Sequence, residues 1–378
     1  MKDLLGIKEL KKSLIFSKIT DLNFMNNVFI LIPSVDYSGP IKGAIALANS
    51  IVKHKHVTLI SIKKGLSRID NLDNNVNFIC LADNNINFVN KIIYLRKILF
   101  NSGGKKDTAI ISFCFSADLL NLFCSSYTKT ISSVRGNLIN IYRLDYGLIG
   151  IPAAIFHFLL LRMFNTVVAM SSKMANQIYF FSRRKSVIIE NFINEPELKD
   201  FIKKDNIIIN NKIRLVFVGS LSTRKKPLLL IKTLKKLKDN GYDIHLDIVG
   251  NGSLRDKVIK NIKLFKLEYN VTIHNHVSQP YEIMKNANIF ILPSLSEGIS
   301  RASLESLFIG LPCVLRDVDS NSDLIKNCVN GFLFKRDNEL YSTIIDTIKF
   351  IQVNQNNIIL PDDYRQNNCA NKYLNLLH

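Results

Sequence analysis

The chain has 378 residues, about the length of two domains, and its 47% hydrophobic content is sufficient for two buried cores. Its net charge is +19, and most of the excess of Lys and Arg lies within residues 1–190. These basic residues are scattered and match no zinc-finger, basic-zipper or RNA-binding pattern, which argues against a nucleic-acid-binding protein and favours an anionic membrane surface or a diphosphate-bearing ligand.

The composition also indicates where the protein works. No stretch reaches the roughly eighteen uninterrupted apolar residues that a membrane-spanning helix needs, and Ile149–Leu161 is shorter and contains His157. The first residues lack the apolar core and the small-residue cleavage site of a signal peptide. Six cysteines show neither a C-x-x-C pair nor metal-ligand spacing, so we predict that they are reduced core residues. The expected location is the cytoplasm.

The first half alternates short buried strands with amphipathic helices. A helix is predicted within residues 2–24, and another from about Ala44 to Lys53. The loop 33–43 between the first strand and this second helix contains glycines, which let the backbone approach a ligand closely. The predicted strands are Val28–Ile32, Val57–Ser61, Val76–Cys80, Thr108–Phe113, Ile131–Asn137, Thr166–Ser172 and Ser186–Asn194.

The segment Ile86–Phe100 is the most amphipathic part of the first half. Packing in the core is its default interpretation. The basic residues Lys91, Arg96 and Lys97 are interspersed with its apolar ones, and such a helix is also suited to contact with an anionic membrane.

A basic loop opens the second half, after a polar stretch, residues 195–212, that predicts a linker. Residues 214–227 have the pattern of a strand, a turn at Gly219, and a loop that carries Arg224 and Lys225 into a helix. This is not a Walker loop, because Arg224 stands where the second glycine would be needed. Cations at a helix N-terminus oppose the helix dipole and therefore invite an anionic partner.

The densest pattern lies at residues 289–310. Ile289–Leu292 predicts a buried parallel strand, and a helix follows from an N-cap at Ser300 to Gly310. This order brings the free N–H groups of a helix N-terminus to the carboxyl edge of a parallel sheet, where open α/β folds bind phosphorylated ligands. Glu297 in the loop and Glu305 in the helix can accept hydrogen bonds from sugar hydroxyls there.

The two glutamates, eight residues apart, resemble the E-x7-E signature of family 4 of the retaining nucleotide-sugar glycosyltransferases. The resemblance extends along nearly the whole chain. It implies the GT-B fold, an α/β architecture of two Rossmann-like domains whose parallel sheets face each other across a cleft. The implied divisions are an acceptor-side domain 1–194, a linker 195–212, a nucleotide-sugar-binding domain 213–361, and a C-terminal helix within 362–378 that crosses back to the first domain.

The resemblance also implies roles for individual residues. Glu297, Lys225 and Arg224 are the expected catalytic residues, with Glu297 beside the transferred sugar and the two cations at the donor diphosphate. Arg224 is the candidate to supply a charge that the family places at the position of Ser220. Relatives carry a histidine facing the donor sugar after one first-domain strand, where Arg135 and Asn137 are the candidates here for contact with the sugar or the acceptor. The other expected donor contacts are Gly39, Gly219, Gly250, Val277, Gly298, Ile299, Ser300 and Glu305 on the ribose.

These features predict a glycosyltransferase that moves a sugar from a UDP-, GDP- or dTDP-sugar to a growing glycan. The acceptor is expected to be a lipid-linked bacterial surface glycan, the configuration at the anomeric carbon is expected to be retained, and the enzyme is expected to lie on the inner face of the plasma membrane. No metal or other cofactor is expected.

Three alternatives remain open. One is a non-transferase, such as an epimerase, on the same scaffold. The second is a basic nucleic-acid-binding protein, which a steep salt dependence of binding would indicate. The third concerns metal, since Asp317 and Asp319 form a D-x-D pair that could chelate a divalent cation. The surroundings of this pair fit the metal-free fold, and we therefore expect Asp319→Ala to leave turnover largely intact.

Overall fold

The computed structural model describes residues 25–36, 39–65, 71–82, 87–203, 208, 212–275, 277, 279–353 and 360–377. The helix predicted within residues 2–24 lies outside this part of the chain.

The first domain is built on a parallel sheet in which the described strands have the order β3-β2-β1-β4-β5-β6-β7. From β1 the chain adds strands first on one side of the sheet and then, from β4, on the other side. The loops after β1 and β4 therefore diverge and leave a crevice in which a ligand can bind. The strands are β1 Asn27–Ile32, β2 His56–Ser61, β3 Asn77–Cys80, β4 Thr108–Phe113, β5 Lys129–Ser133, β6 Thr166–Ala169 and β7 Val187–Ile188.

Helices cover this sheet, and their bounds are α1 Gly39–Ile51, α2 Phe88–Asn101, α3 Phe115–Phe123, α4 Leu138–Tyr146, α5 Gly150–Leu161 and α6 Ser172–Ser182. Helix α1 begins at Gly39 rather than near Ala44, so the predicted loop is shorter. Pro40 suits this earlier start, because the first-turn N–H that proline lacks would have no partner inside the helix.

The second domain repeats the plan with the strand order β10-β9-β8-β11-β12-β13. Its strands are β8 Ile213–Val218, β9 Ile244–Val249, β10 Val271–His274, β11 Ile289–Leu292, β12 Cys313–Arg316 and β13 Gly331–Phe334. Its helices are α7 Pro227–Asp239, α8 Arg255–Leu264, α9 Tyr281–Lys285, α10 Arg301–Ile309, α11 Asn321–Leu324 and α12 Leu340–Val353. The order reverses between β8 and β11, which carry the basic loop and the Glu297 loop.

The segment between the two sheets begins with regular structure. Glu195–Phe201 forms a 3-10 helix that contacts α10 and buries Leu198. Helix α13, Gln366–Asn375, then packs on α1 in the first domain. Its Tyr373 is fully buried, and the Tyr373 hydroxyl lies 2.7 Å from Ser133 Oγ.

The run Leu138–Leu161 differs from expectation. Its 24 residues are long and apolar enough to cross a membrane by length and composition alone. The run is nevertheless two helices, α4 and α5, joined by a 3-10 turn at Gly147–Ile149 where Gly147 has φ +68°. A Cβ on Gly150 would lie 2.1 Å from the carbonyl oxygen of Tyr142, so the helices pack closely against each other. Both belong to the packed first domain.

Candidate active site

A cleft of about 1030 Å³ lies between the two domains. The loops after β8, β9 and β11 form its second-domain wall, and α4, α5 and the loops after β1, β4 and β5 form the opposite wall. Because parallel strands point their carboxyl ends at one edge, each domain brings its loops to the same crevice. All of the predicted site residues except Asn137 line this cleft.

Lys225 and Glu297 form an ion pair at the centre of the second-domain wall. Lys225 Nζ donates a hydrogen bond to Glu297 Oε1, and both side chains are buried. Burial opposes the charge of Glu297, but Lys225 and Arg224 outweigh it and hold its pKa below the usual value. Burial lowers the pKa of Lys225, against the attraction of Glu297. The two residues are 72 positions apart and meet because β8 and β11 are neighbours.

Arg224 adds a second cation to this pair. Its Nη1 lies 3.6 Å from Glu297 Oε1 and donates to the carbonyl oxygen of Ser296 at 3.1 Å. Its Nε lies 4.0 Å from Asp145 Oδ1 of α4, across the cleft. Arg224 is therefore placed between the two walls, whereas Ser220 leaves its own position in the cleft uncharged.

The N-terminus of α10 also faces the cleft. Ser300 is the N-cap, with an extended backbone and a side chain that accepts from Ser303 N. The backbone of Ile299 is held by Asn191, whose Nδ2 donates to Ile299 O at 2.8 Å. The free N–H groups of the first helical turn are thus directed toward the space beside Glu297, where they can stabilise anionic oxygens.

Glu305 lies one turn further into α10 and is buried. Its Oε1 is 3.9 Å from Arg301 Nε, beyond hydrogen-bonding distance. Within the described residues that oxygen has no hydrogen-bond partner, and neither has Arg301 Nε. A buried acceptor without a donor is costly, and its oxygen suits a hydroxyl of a bound ligand.

Two glycines in the site are required by close backbone approach. Gly250 has φ +145°, and a Cβ there would lie 2.0 Å from the carbonyl oxygen of Gly219. A Cβ on Gly298 would lie 2.9 Å from Arg135 O and closer still to the Met170 side chain in the first domain. Gly39 and Val277 line the same cleft.

Arg135 and Asn137 differ in placement. Arg135 lines the cleft, but its guanidinium is 4.5 Å from the Phe113 ring centre and donates to Tyr373 OH at 3.0 Å. Asn137 does not line the cleft, which corrects its prediction as a sugar or acceptor contact. Its Oδ1 caps the N-terminus of α4, because β5 ends at Ser133 and the helix begins directly after Asn137.

Asp319 has a role that the sequence did not reveal. Its Oδ2 accepts from Glu297 N at 2.9 Å and Ser296 Oγ at 2.6 Å, and its Oδ1 accepts from Asn137 Nδ2 at 2.8 Å. One carboxylate thus joins the Glu297 loop to the start of α4 in the other domain. The expectation that Asp319→Ala would be nearly silent is therefore withdrawn, because the substitution removes the support of the Glu297 backbone.

A polar group on the first-domain wall was also missed. Asp118, Tyr142 and His157 line the cleft and are hydrogen-bonded in series. They are 24 and 15 residues apart in the chain and lie on three helices, so no local motif could have indicated them.

The fold and the cleft together define a protein of the GT-B fold, in which a wall with a buried Lys–Glu pair faces a second Rossmann-like domain. Residues 199–358 match the family described as glycosyl transferases group 1. The predicted fold and enzyme class are confirmed.

The similar proteins agree with this class. The chain is 26% identical over 290 residues to the O-antigen biosynthesis glycosyltransferase WclY of Escherichia coli, covering 74% of this chain and 78% of that protein. It is 30% identical over 186 residues to the UDP-Gal:alpha-D-GlcNAc-diphosphoundecaprenol alpha-1,3-galactosyltransferase of Escherichia coli. The matched region covers about half of each protein, 48% of this chain and 46% of that enzyme. The structure of Anabaena Alr3699/HepE in complex with UDP-glucose superposes with a TM-score of 0.67 at 15% identity, covering 93% and 96%.

Proposed function

We propose that the protein transfers a sugar from a nucleotide diphosphate-sugar to a growing, lipid-linked bacterial surface glycan, with retention of configuration at the anomeric carbon. The observation that carries the proposal is the buried Lys225–Glu297 pair beside Arg224 and the α10 N-terminus. This arrangement offers cations and N–H groups to a diphosphate and a carboxylate to the sugar attached to it.

The chemistry follows from where charge develops. As the bond between the anomeric carbon and the diphosphate breaks, the leaving oxygen becomes more negative and the sugar more positive. Lys225, Arg224 and the α10 N–H groups would stabilise the diphosphate, while Glu297 would stabilise the sugar. A diphosphate beside Lys225 would favour its charged form and offset the burial that lowers its pKa.

The identity of the donor and acceptor is proposed from the relatives. One of the similar enzymes is named for a UDP-galactose donor and a diphosphoundecaprenol-linked acceptor, and HepE was solved with UDP-glucose. These names favour a UDP-sugar over the GDP- and dTDP-sugars that the sequence left open. Glu305, with its unpartnered buried oxygen, would bind the ribose hydroxyls.

Transfer is proposed to need no metal or other cofactor. Both oxygens of Asp319 already accept hydrogen bonds from the protein, so the D-x-D pair with Asp317 is not arranged as a chelating site. The cations that a diphosphate requires are supplied by Lys225 and Arg224.

We propose that the protein is cytoplasmic and binds peripherally to the inner face of the plasma membrane. The exposed side chains that support this lie at the α4–α5 turn and along the outer face of α5. Leu148 and Ile149 in the turn are 79% and 85% exposed, and the basic residues near this surface, Arg143, Arg162 and Arg183, are exposed as well. Apolar side chains flanked by cations suit an anionic bilayer. The apolar side chains on the outer face of α5 and just beyond it are Ile155, Phe156, Leu159 and Met163.

The surface predicted on α2 stays a prediction, and two of its three basic residues also contact the rest of the domain. Lys91 Nζ donates to Ile62 O at 2.8 Å, and Arg96 Nε donates to Phe123 O at 2.9 Å. Both cations are therefore occupied in packing α2 on the domain, and of the three only Lys97 stays exposed.

The test is a panel of UDP-, GDP- and dTDP-sugars incubated with a diphospholipid-linked acceptor, with release of nucleoside diphosphate measured in EDTA and in manganese. We expect one donor class to give nucleoside diphosphate and elongated acceptor equally in both. Conversion of the sugar without nucleotide release would instead support an epimerase. Nucleic-acid binding with a steep salt dependence and no turnover of any donor would overturn the proposal.

A further inference from the structure

The polar group on the first-domain wall is a continuous chain of hydrogen bonds. Asp118 and His157 are 2% and 3% exposed, and His157 Nε2 lies 2.8 Å from Asp118 Oδ2. Asp118 also accepts from Ser112 Oγ at 2.6 Å and from Ser132 Oγ at 3.0 Å. A carboxylate can only accept, so His157 Nε2 carries the hydrogen in this bond.

The bond to Asp118 determines whether the other ring nitrogen of His157 donates or accepts a hydrogen bond. In neutral histidine only one ring nitrogen carries a hydrogen, which leaves Nδ1 of His157 as an acceptor. The hydroxyl of Tyr142 lies 3.2 Å from this nitrogen and therefore donates to it. The Tyr142 oxygen can then accept one further hydrogen bond from a group in the cleft.

This chain of hydrogen bonds ends, at Tyr142, close to the proposed donor site. Tyr142 and Asp145 are three residues apart on α4, a rise of about 4.5 Å, so they share a face of the helix. Asp145 Oδ1 is 4.0 Å from Arg224 Nε, and Arg224 Nη1 is 3.6 Å from Glu297 Oε1. Tyr142 thus lies on the first-domain wall, about one helical turn from the contact with Arg224.

The electrostatic surroundings of Tyr142 suit a residue that passes a proton from one group to another. Burial and the negative charge of Asp118 raise the pKa of Tyr142, so its hydroxyl stays protonated. A protonated tyrosine between a hydroxyl and an imidazole can accept one proton as it gives up another.

We propose that Tyr142, His157 and Asp118 form a proton relay that activates the acceptor hydroxyl. The acceptor oxygen bonds to the anomeric carbon as the carbon–diphosphate bond breaks, and the diphosphate leaves with the electron pair. The acceptor proton passes to the Tyr142 oxygen, the tyrosine proton passes to His157 Nδ1, and the imidazolium pairs with Asp118. After product release the proton returns along the same path to solvent. Tyr142 is the residue that touches the acceptor, and His157 and Asp118 act through it.

This inference rests on the proposed transferase function, and the test separates the two. Tyr142→Phe keeps the ring and removes only the relay hydroxyl. We expect kcat for transfer to fall roughly a hundredfold, as for loss of general base catalysis, with the dissociation constant for UDP unchanged. Unchanged UDP binding also shows that the variant is folded. Tyr146→Phe is the matched comparison, since the Tyr146 hydroxyl has no hydrogen bond among the described residues and its loss should leave kcat within about twofold.

A second variant distinguishes proton transfer from packing. His157→Ala should lose transfer activity, and free imidazole should restore part of it, whereas pyrrole, which has the same shape but no acceptor nitrogen, should not. Equal rescue by pyrrole, or a kcat for Tyr142→Phe within twofold of the wild type, would overturn the relay while leaving the transferase intact. Absence of transfer by the wild type with every donor would instead overturn the proposed function on which the relay rests.

Discussion

Glu297 is the residue whose placement most directly indicates its chemistry. Its carboxylate is buried, paired with Lys225 and close to Arg224, and its backbone N–H is held by Asp319. Two cations thus keep it ionised in an environment that would otherwise favour the neutral form. In the proposed reaction, a negative charge held at that position would stabilise positive charge on the sugar in the transition state.

Glu297→Gln removes that charge and keeps the shape of the side chain. We expect kcat to fall by roughly a hundredfold or more, a typical loss for one electrostatic group, with a smaller change in donor KM. Steady-state kinetics with the preferred donor would measure both. Glu268→Gln, on the exposed surface of the same domain, is the control and should be neutral. Full activity in Glu297→Gln would exclude Glu297 from the transition state.

Glu305 should behave differently because its proposed partner, the donor ribose, does not react. Contacts with ribose hydroxyls are similar in the ground and transition states, so their loss weakens binding more than turnover. We expect Glu305→Gln to raise donor KM about tenfold and to change kcat little. Glutamine is preferred to alanine, because it keeps the side-chain volume and an acceptor oxygen beside the buried Arg301. A loss confined to kcat would contradict the ribose assignment.

Substitution of Asp319 tests whether this residue supports the Glu297 loop or binds a metal together with Asp317. Asp319→Ala removes the acceptor for Glu297 N and Ser296 Oγ and leaves these buried donors unpaired. We expect kcat to drop about tenfold or more, through misplacement of Glu297. The activity of the wild type should be the same in EDTA and in manganese. Loss of wild-type activity in EDTA, restored by manganese, would show instead that Asp319 binds metal.

At the level of elements, the α4–α5 pair has two different faces. One face packs in the core through Phe158 and Leu161 and carries Tyr142 and His157 to the cleft. The outer face and the connecting turn expose apolar side chains. Under the proposed function, this pair of helices would bind the membrane and present the first-domain wall of the cleft to a lipid-linked acceptor at the same time.

The Leu148→Ser/Ile149→Ser double variant tests this surface. Both side chains are largely exposed, so folding should be unaffected, while insertion of their apolar area into a bilayer is lost. Burying one such side chain is worth about 1.5–3 kcal/mol, and we expect vesicle binding to weaken by at least about tenfold. Co-sedimentation with anionic vesicles at low and high salt would measure the binding of the wild type and the double variant. Leu264→Ser, exposed on α8 of the second domain, is the matched control. Equal binding by the double variant would exclude this surface.

At the level of the whole molecule, α13 ties the end of the chain to the first domain beside the cleft. Tyr373 OH lies between Ser133 Oγ and Arg135 Nη2, and Lys372 Nζ is 2.5 Å from Glu190 Oε2. The position of Arg135, against which Gly298 packs, therefore depends on residues from the other end of the sequence.

Tyr373→Phe leaves the buried Ser133 hydroxyl and the Arg135 guanidinium without this partner. We expect a stability loss of about 1–3 kcal/mol, visible as a lower temperature of the first-domain transition in calorimetry. The exposed Tyr179→Phe on α6 should melt like the wild type. If the two variants had the same transition temperatures, the α13 contact would not contribute to the stability of the domain.

The sequence by itself determined the two-domain α/β plan and many of the residues that line the second-domain wall of the cleft. Alternation of short apolar runs with amphipathic segments specifies parallel strands and covering helices, since both signals are local. Gly219, Lys225, Glu297 and Glu305 could be recognised because each lies directly after a strand or in the helix that follows, where the strand order brings it to the cleft.

Only the tertiary structure decided which side chains work together. Lys225 and Glu297 pair because β8 and β11 are adjacent, Asp319 supports Glu297 from a third loop, and Tyr142, His157 and Asp118 meet where three helices pack. The structure likewise shows Lys91 and Arg96 donating to backbone carbonyls of the first domain, and it divides an apolar run of membrane-spanning length into two packed helices. The physical reason is that periodicity records which face of an element is buried, whereas hydrogen bonds between distant residues depend on how the elements are placed in space.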